Sequence, residues 1–235
     1  MISVERTVSD LVVERPARSR VFERFGIDYC CGGGVPLREA CEVAGVEPEE
    51  VVLELERLDP VSDEGPTVAE MSVEEMVDHI VRVHHDYLRE ELPRLGTMVE
   101  KVARVHGGSH PELYELREVF AQLRRELEEH TDKEERVLFP ACMELVSGRR
   151  PAASGYIRAL VSSLISEHVD SGEGLRSVRE ITQGYRVPED ACNTYRAMLD
   201  GLAELERDTH EHVFKENSLL FPRVVAAEKA LEERR

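Results

Sequence analysis

Two stretches of this chain repeat each other. His130-Thr131-Asp132-Lys133-Glu134 is followed by Val137-Leu138-Phe139-Pro140. His212-Val213-Phe214-Lys215-Glu216, 82 residues later, is followed by Leu219-Leu220-Phe221-Pro222. On a helix, residues i and i+4 share a face, so each His and the Glu four residues after it project side by side. One such pair arises easily by chance. Two, each trailed at the same distance by Leu-Phe-Pro, imply an internal repeat of helical units.

The frames around these pairs are long. Ser72 and Glu75 form a capping box that opens a helix running to about Val105, with a kink expected at Pro93. Pro111 opens a second, reaching about Val146. Gly148 to Pro151 break the chain, a third helix runs to about Thr182, and a fourth starts near Pro188 and continues to the C-terminus. No segment sustains period-two alternation, so strands are not expected. The fold class is all-α: a four-helix up-down-up-down bundle preceded by a small helical N-terminal domain.

That N-terminal domain occupies residues 1–58. Thr7 is placed to cap a turn over Val8 to Glu14, and Pro16 fits a first helical position. Gly26 ends a helix whose inner face carries Val21, Phe22 and Phe25. Leu37 to Ala44 and Pro48 to Leu58 read as two further helices. Between them and Gly26 lies Asp28-Tyr29-Cys30-Cys31-Gly32-Gly33-Gly34, a glycine-rich loop presenting adjacent thiols. Residues 59–66, polar and with two prolines, read as a linker, which leaves 67–235 for the bundle.

Heptad rows show which polar residues face inward. His85 shares its row with Asp78, Leu92 and Val99, whereas His84 keeps the less buried company of Val77, Glu91 and Met98. His130 lines up with Leu116, Leu123 and Val137, beside a row holding Phe120, Leu127, Glu134 and Ala141. His168 aligns with Val161 and Leu175, and His212 with Leu205 and Leu219, beside Leu202 and Glu216. His210 falls about 200° around from His212 and is expected to point outward. Each bundle helix thus offers one inward His, and the second and fourth each add a Glu. The separations His85 to His130 and His168 to His212, 45 and 44 residues, suggest two hairpins about a pseudo-twofold axis.

Six polar groups in a Leu/Val/Phe core need partners or a metal. Two ions, each taking two His and sharing both Glu, would use all six and keep positions open. Imidazole with bridging carboxylate in a four-helix core points to a non-haem di-iron centre. The Glu-x-x-His signature of ferritin-like centres is absent, since Leu127, Ile165 and Thr209 stand three residues before His130, His168 and His212.

Composition narrows the partners. A net charge of −18 argues against nucleic acid and anionic membranes. No apolar run is long enough to span a bilayer, and the first residues lack a signal-peptide core, so the expected location is the cytoplasm. Five Cys in such a chain suggest free thiols, a redox pair or metal ligands rather than a disulfide scaffold. Cys142 and Cys192 read as small packed hydrophobes.

The pattern resembles a known family. His85, His130-x-x-x-Glu134, His168 and His212-x-x-x-Glu216 look like the hemerythrin-like (HHE) domain, and Asp28-Tyr29-Cys30-Cys31-Gly32-Gly33 looks like the N-terminal signature of the RIC proteins (repair of iron centres; ScdA/YtfE-like). The resemblance covers nearly the whole chain. It implies two non-haem iron ions, oxo- or hydroxo-bridged with bridging Glu carboxylates, held by His85, His130, Glu134, His168, His212 and Glu216. It further implies repair of iron-sulfur clusters damaged by oxidative or nitrosative stress, by iron delivery, by nitric oxide chemistry at the di-iron site, or both. Partners would then be NO or O2 as small ligands and damaged iron-sulfur proteins, with the chain a monomer or homodimer.

Enzymatic reduction of nitric oxide is left open. So are an O2 or NO sensor or carrier without turnover, and a metal store. Cys30 and Cys31 are candidate redox thiols or a transient iron-sulfur contact, against an inert pair in a tight glycine turn. Glu126 and Glu167 are candidate relays or plain rim charges.

Overall fold

The computed structural model describes residues 2–58, 68–149 and 153–233. The expected linker at 59–66 lies outside them, as does part of the break after Gly148. Among the described residues every regular element is a helix, and the one β feature is an isolated bridge between Thr7 and Pro36. No described helix is long and apolar enough to cross a membrane.

The N-terminal helices are α1 (Val8–Glu14), α2 (Ser19–Phe25), α3 (Leu37–Ala44) and α4 (Pro48–Leu58). Thr7 caps α1 by accepting the N–H of Asp10, and Gly26 ends α2 in the left-handed region at φ 67°. Val8, Leu11, Phe22, Leu37, Cys41, Val51 and Leu55 are fully buried in a core of their own.

Four rods make the bundle. The first is α5 (Val73–Ile80) and α6 (Asp86–His106), joined through a π-helical turn at Val81–His85. Its capping box between Ser72 and Glu75 is present, and α6 continues through Pro93. The second is α7 (Glu112–Lys133) and α8 (Phe139–Val146), joined by a π turn at Glu134–Leu138. The third is the unbroken α9 (Tyr156–Ile181), whose first free N–H groups, Ile157 and Arg158, are taken by the buried Glu228 carboxylate. The fourth is α10 (Asn193–Lys215) and α11 (Phe221–Glu233), joined by a π turn at Glu216–Leu220. It starts at Asn193 rather than near Pro188, because residues 186–192 form an irregular turn before the helix.

Rods one and three each pack on rods two and four, as an up-down-up-down bundle requires. Two apolar clusters fill it. One runs from Leu88, Leu127, Leu175 and Leu205 toward one end, the other from Ile80, Leu138, Leu164 and Leu219 toward the other. On every rod the inward His lies in the gap between them.

The N-terminal domain sits against the fourth rod. Val213 and Phe214 of α10 belong to its apolar core rather than to the bundle's, with the Tyr29 ring 5.7 Å from that of Phe214.

Candidate metal centre

The three π turns meet at this gap. A π turn closes i to i+5 and is most often found as a single turn at a functional site. Here the N–H groups of Phe139 and Phe221 bond to the carbonyls of Glu134 and Glu216, and that of Asp86 to Val81. The repeated Leu-Phe-Pro follows from this. Phe139 stacks on the His85 ring (5.6 Å, 20°) and Phe221 on the His168 ring (5.8 Å, 3°). The proline after each phenylalanine stands at the start of a new helical segment, where a missing N–H does least harm.

All six residues singled out in the sequence converge, and all are buried. Donor atoms of His85, Glu134, His212 and Glu216 lie within 4.8 Å of one another, and so do those of His130, Glu134, His168 and Glu216. Both groups share both carboxylates, and each takes one His from either half of the repeat.

The contacts at this centre suit a cation. His130 and His168 give their Nδ1–H to Glu167 (3.1 Å) and Asn217 Oδ1 (3.0 Å), so each Nε2 carries a lone pair. Those two Nε2 atoms are 3.1 Å apart, and the Nε2 atoms of His85 and His212 are 3.2 Å apart. Facing lone pairs at that separation repel unless a cation or proton stands between them. The carboxylates agree: both oxygens of Glu134 and Oε2 of Glu216 have no hydrogen-bond partner, although imidazole nitrogens approach to 3.1–3.4 Å. The distances are short and the angles wrong for hydrogen bonds, as expected of donors aimed at a common point.

Without a cation the charges are badly matched. Burial, reinforced by the Glu216 charge, pushes the Glu134 carboxyl well above the usual range. Burial also opposes ionisation of Glu216, but the His212 and His168 imidazoles outweigh it and hold that carboxyl well below.

A second layer orients the imidazoles. His85 Nδ1 bonds Glu135 Oε1 at 2.7 Å, and Arg89 pairs with the same carboxylate. Glu167, besides His130, takes Lys133; the two partners hold its carboxyl down at about 2. Asn217 bridges outward, since its Nδ2 donates to the Cys30 carbonyl at 3.1 Å. Glu135 and Asn217 were not anticipated, yet they stand next to Glu134 and Glu216 and are related by the same 82-residue offset. Replacing Asn217 by Ala should loosen the cation at the His130–His168 side by about 10–100-fold. Competition with a graded series of chelators measures this, and unchanged affinity would remove Asn217 from the centre.

Two further histidines are buried or covered. His84, placed by its heptad row in a less buried set, is fully buried. It donates from Nδ1 to Asp208 (2.8 Å), accepts from Lys215 at Nε2 (2.7 Å), and stacks on His212 at 5.2 Å. Burial lowers it to about 3, so it is neutral, and burial raises Asp208 to about 6. His210, expected to point outward, does leave the bundle axis but is covered by the N-terminal domain, its ring 6.3 Å from Tyr29. Glu126 and Glu167 both line an opening of about 310 Å³ beside His130.

The cysteines divide. Cys30 and Cys31 lie against the centre: besides the Asn217 bridge, Cys31 Sγ is 3.6 Å from the His168 carbonyl. Cys142 is a buried hydrophobe as expected, and burial pushes its thiol up to about 12. Cys192 is not, because the later start of α10 makes it an exposed N-cap. The Tyr195 N–H and the His106 ring, 3.3 Å away, lower its thiol to about 7. Thiolate forms as pH rises through that value, so Cys192 should be the first thiol alkylated by iodoacetamide, at half its limiting rate near pH 7. Peptide mapping across pH checks the order, which fails if Cys142 reacts as fast.

Comparison with known proteins follows the same division. Residues 4–59 match the ScdA_N domain of unknown function (DUF542), and residues 76–224 match the hemerythrin HHE cation binding domain. The chain is 36% identical over 222 residues to the iron-sulfur cluster repair protein ScdA of Staphylococcus haemolyticus, covering 94% of this chain and 98% of that one. It is 36% identical over 226 residues to the iron-sulfur cluster repair protein YtfE of an Enterobacter species, with 95% and 98% covered. To YtfE of Pectobacterium carotovorum it is 33% identical over 224 residues, again with 95% and 98% covered. A chain with this bundle, this buried His/Glu set and this N-terminal loop therefore belongs to the ScdA/YtfE family of iron-sulfur cluster repair proteins.

Proposed function

We propose that this protein repairs iron-sulfur clusters damaged by oxidative or nitrosative stress, by holding two iron ions on His85, His130, Glu134, His168, His212 and Glu216 and giving iron up to the damaged cluster. The observation that carries this reading is the pair of four-donor groups sharing both carboxylates. When bound, the iron pair would supply an exchangeable, redox-active centre with positions free for a small ligand such as nitric oxide or dioxygen.

The chain's own groups do the rest. Glu135, Glu167 and Asn217 fix the Nδ1 protons of three imidazoles and so keep their Nε2 lone pairs turned inward. Phe139 and Phe221 cover two of the rings and keep water off them. Glu134 and Glu216, with no internal hydrogen bonds to lock Glu134 or Oε2 of Glu216, are free to change how they bind a cation. Around His130 the walls carry Glu126, Glu129, Glu167 and Asp170 against one cation, Lys133, a net acidic lining that favours passage of a cation over an anion.

The test is transfer. Iron-loaded protein is added to an iron-sulfur enzyme inactivated by peroxide, with and without a chelator that removes free iron. Recovery should persist with the chelator present. Recovery no faster than free ferrous iron gives, together with reversible binding of NO or O2, would instead identify a sensor or carrier.

A further inference from the structure

A second cluster of metal-type donors lies outside the bundle core, on the loop from Asp28 to Gly34. Donor atoms of Asp28, Cys30 and Cys31 are all within 4.8 Å of one another. The loop is shaped around the carboxylate. Asp28 Oδ1 accepts the N–H groups of Cys30 (3.0 Å) and Cys31 (2.9 Å), and Oδ2 accepts that of Gly32 (3.0 Å). Gly33 completes it, because a Cβ there would lie 2.3 Å from the Tyr29 carbonyl oxygen.

Those backbone bonds explain an aspartate at the turn but not two thiols on its face. Cys30 Sγ is aimed at Asp28 Oδ1 from 3.3 Å, and the two sulfurs are 3.6 Å apart. That is far beyond the roughly 2.05 Å of a disulfide, and close enough for both to reach one ion. Cys30 is buried, while Cys31 and Asp28 reach solvent. The cluster opens on a cavity of about 360 Å³ between the N-terminal domain and the bundle, whose walls also carry His210, Glu23, Arg176 and the Arg179–Glu206 ion pair. On its inner side it touches the bundle centre through the two contacts already described, Cys31 Sγ to the His168 carbonyl and Cys30 to Asn217.

We infer that Asp28, Cys30 and Cys31 form a third metal site, distinct from the His/Glu centre, that takes one borderline divalent cation. In the function proposed above, on which this step rests, the cation is Fe²⁺ in passage between the bundle and the outside. Two thiolates with one carboxylate suit Fe²⁺, Co²⁺ or Zn²⁺ and disfavour Mg²⁺ and Ca²⁺, which take oxygen ligands. Binding breaks the two S–H bonds, forms two metal–sulfur bonds and releases two protons to solvent. No electron is transferred.

The experiment uses the full chain, iron-loaded, with thiols reduced, under anaerobic conditions. Co²⁺ is the probe, because thiolate ligation gives it near-ultraviolet charge-transfer bands. The parent should bind one equivalent beyond its iron and show those bands. Cys30→Ser and Cys31→Ser should each lose them. Asp28→Asn, which keeps an oxygen for the loop N–H groups but not the charge, should bind about tenfold or more weakly. Absence of the extra equivalent, or bands that survive in the double Ser variant, overturns the site. Iron release to a chelator, timed on the same samples, tests the passage: it should slow in the double Ser variant, and an unchanged rate overturns that role. Iron counted before cobalt is added keeps failure of the bundle centre separate, since cobalt–thiolate bands report on the loop whether or not the bundle holds iron.

Discussion

Glu216→Ala is expected to leave the protein without stoichiometric iron, while His210→Ala retains it. Glu216 belongs to both four-donor groups, so its loss takes a ligand from each proposed ion. His210 faces the N-terminal domain and supplies no donor to either group. Heat stability should follow the metal. A ligand present at 1,000 times its dissociation constant stabilises the folded state by about 4 kcal/mol, and for a chain of this size each kcal/mol moves the midpoint by roughly 2–4 °C. Iron-loaded parent should therefore melt roughly 8–16 °C above Glu216→Ala. Chelation of the parent should close most of that gap, because what is lost is binding rather than packing. Iron analysis and calorimetry on both variants decide the matter. Equal iron loss from His210→Ala and His212→Ala would sink the assignment of faces along α10.

The six inward residues were legible because three regularities coincide on them. Heptad rows put them inside, a repeat pairs them, at 82 residues for His130 with His212 and Glu134 with Glu216 and at 83 for His85 with His168, and buried polar groups demand partners. His84 was misjudged for a reason local to its rod. It lies in the π turn Val81–His85, where each residue advances by less than the 100° of an α-helix, so rows drawn at α-helical phase drift across the turn. His210 leaves the bundle axis as its row implies, but a row does not say what another domain lays over that face. Cys192 depended on where a helix begins, and five residues changed a packed thiol into an exposed cap. The Asn217 bridge joins residues from two domains, and nothing periodic announces such a contact. The repeat did contain half of it, in the correspondence of Glu135 with Asn217.

A chain beginning at Thr67, without the N-terminal domain, is expected to fold as a helical bundle and hold iron, but with much reduced stability. The sequence alone suggests two independent units. The packing qualifies that, because Val213 and Phe214, 4% and 6% exposed, are packed into the N-terminal core. Uncovering a buried Val or Phe side chain costs about 1.5–3 kcal/mol, so losing both covers costs about 3–6 kcal/mol. Folded domains hold only about 5–15 kcal/mol in reserve. Bound iron at the level argued above offsets most of that loss, and in its absence the reserve falls by the full amount. The iron-loaded truncated chain should thus show a cooperative melt well below that of the full chain. Its metal-free form should be molten or aggregated through the bared apolar strip. Phe214→Ser in the truncated chain should restore solubility, while in the full chain the same change should weaken the docking of Tyr29. A truncated chain that melts where the full chain does would show that Val213 and Phe214 join no shared core. One that cannot take up iron even in excess would show that residues 1–58 and the bundle fold as one unit.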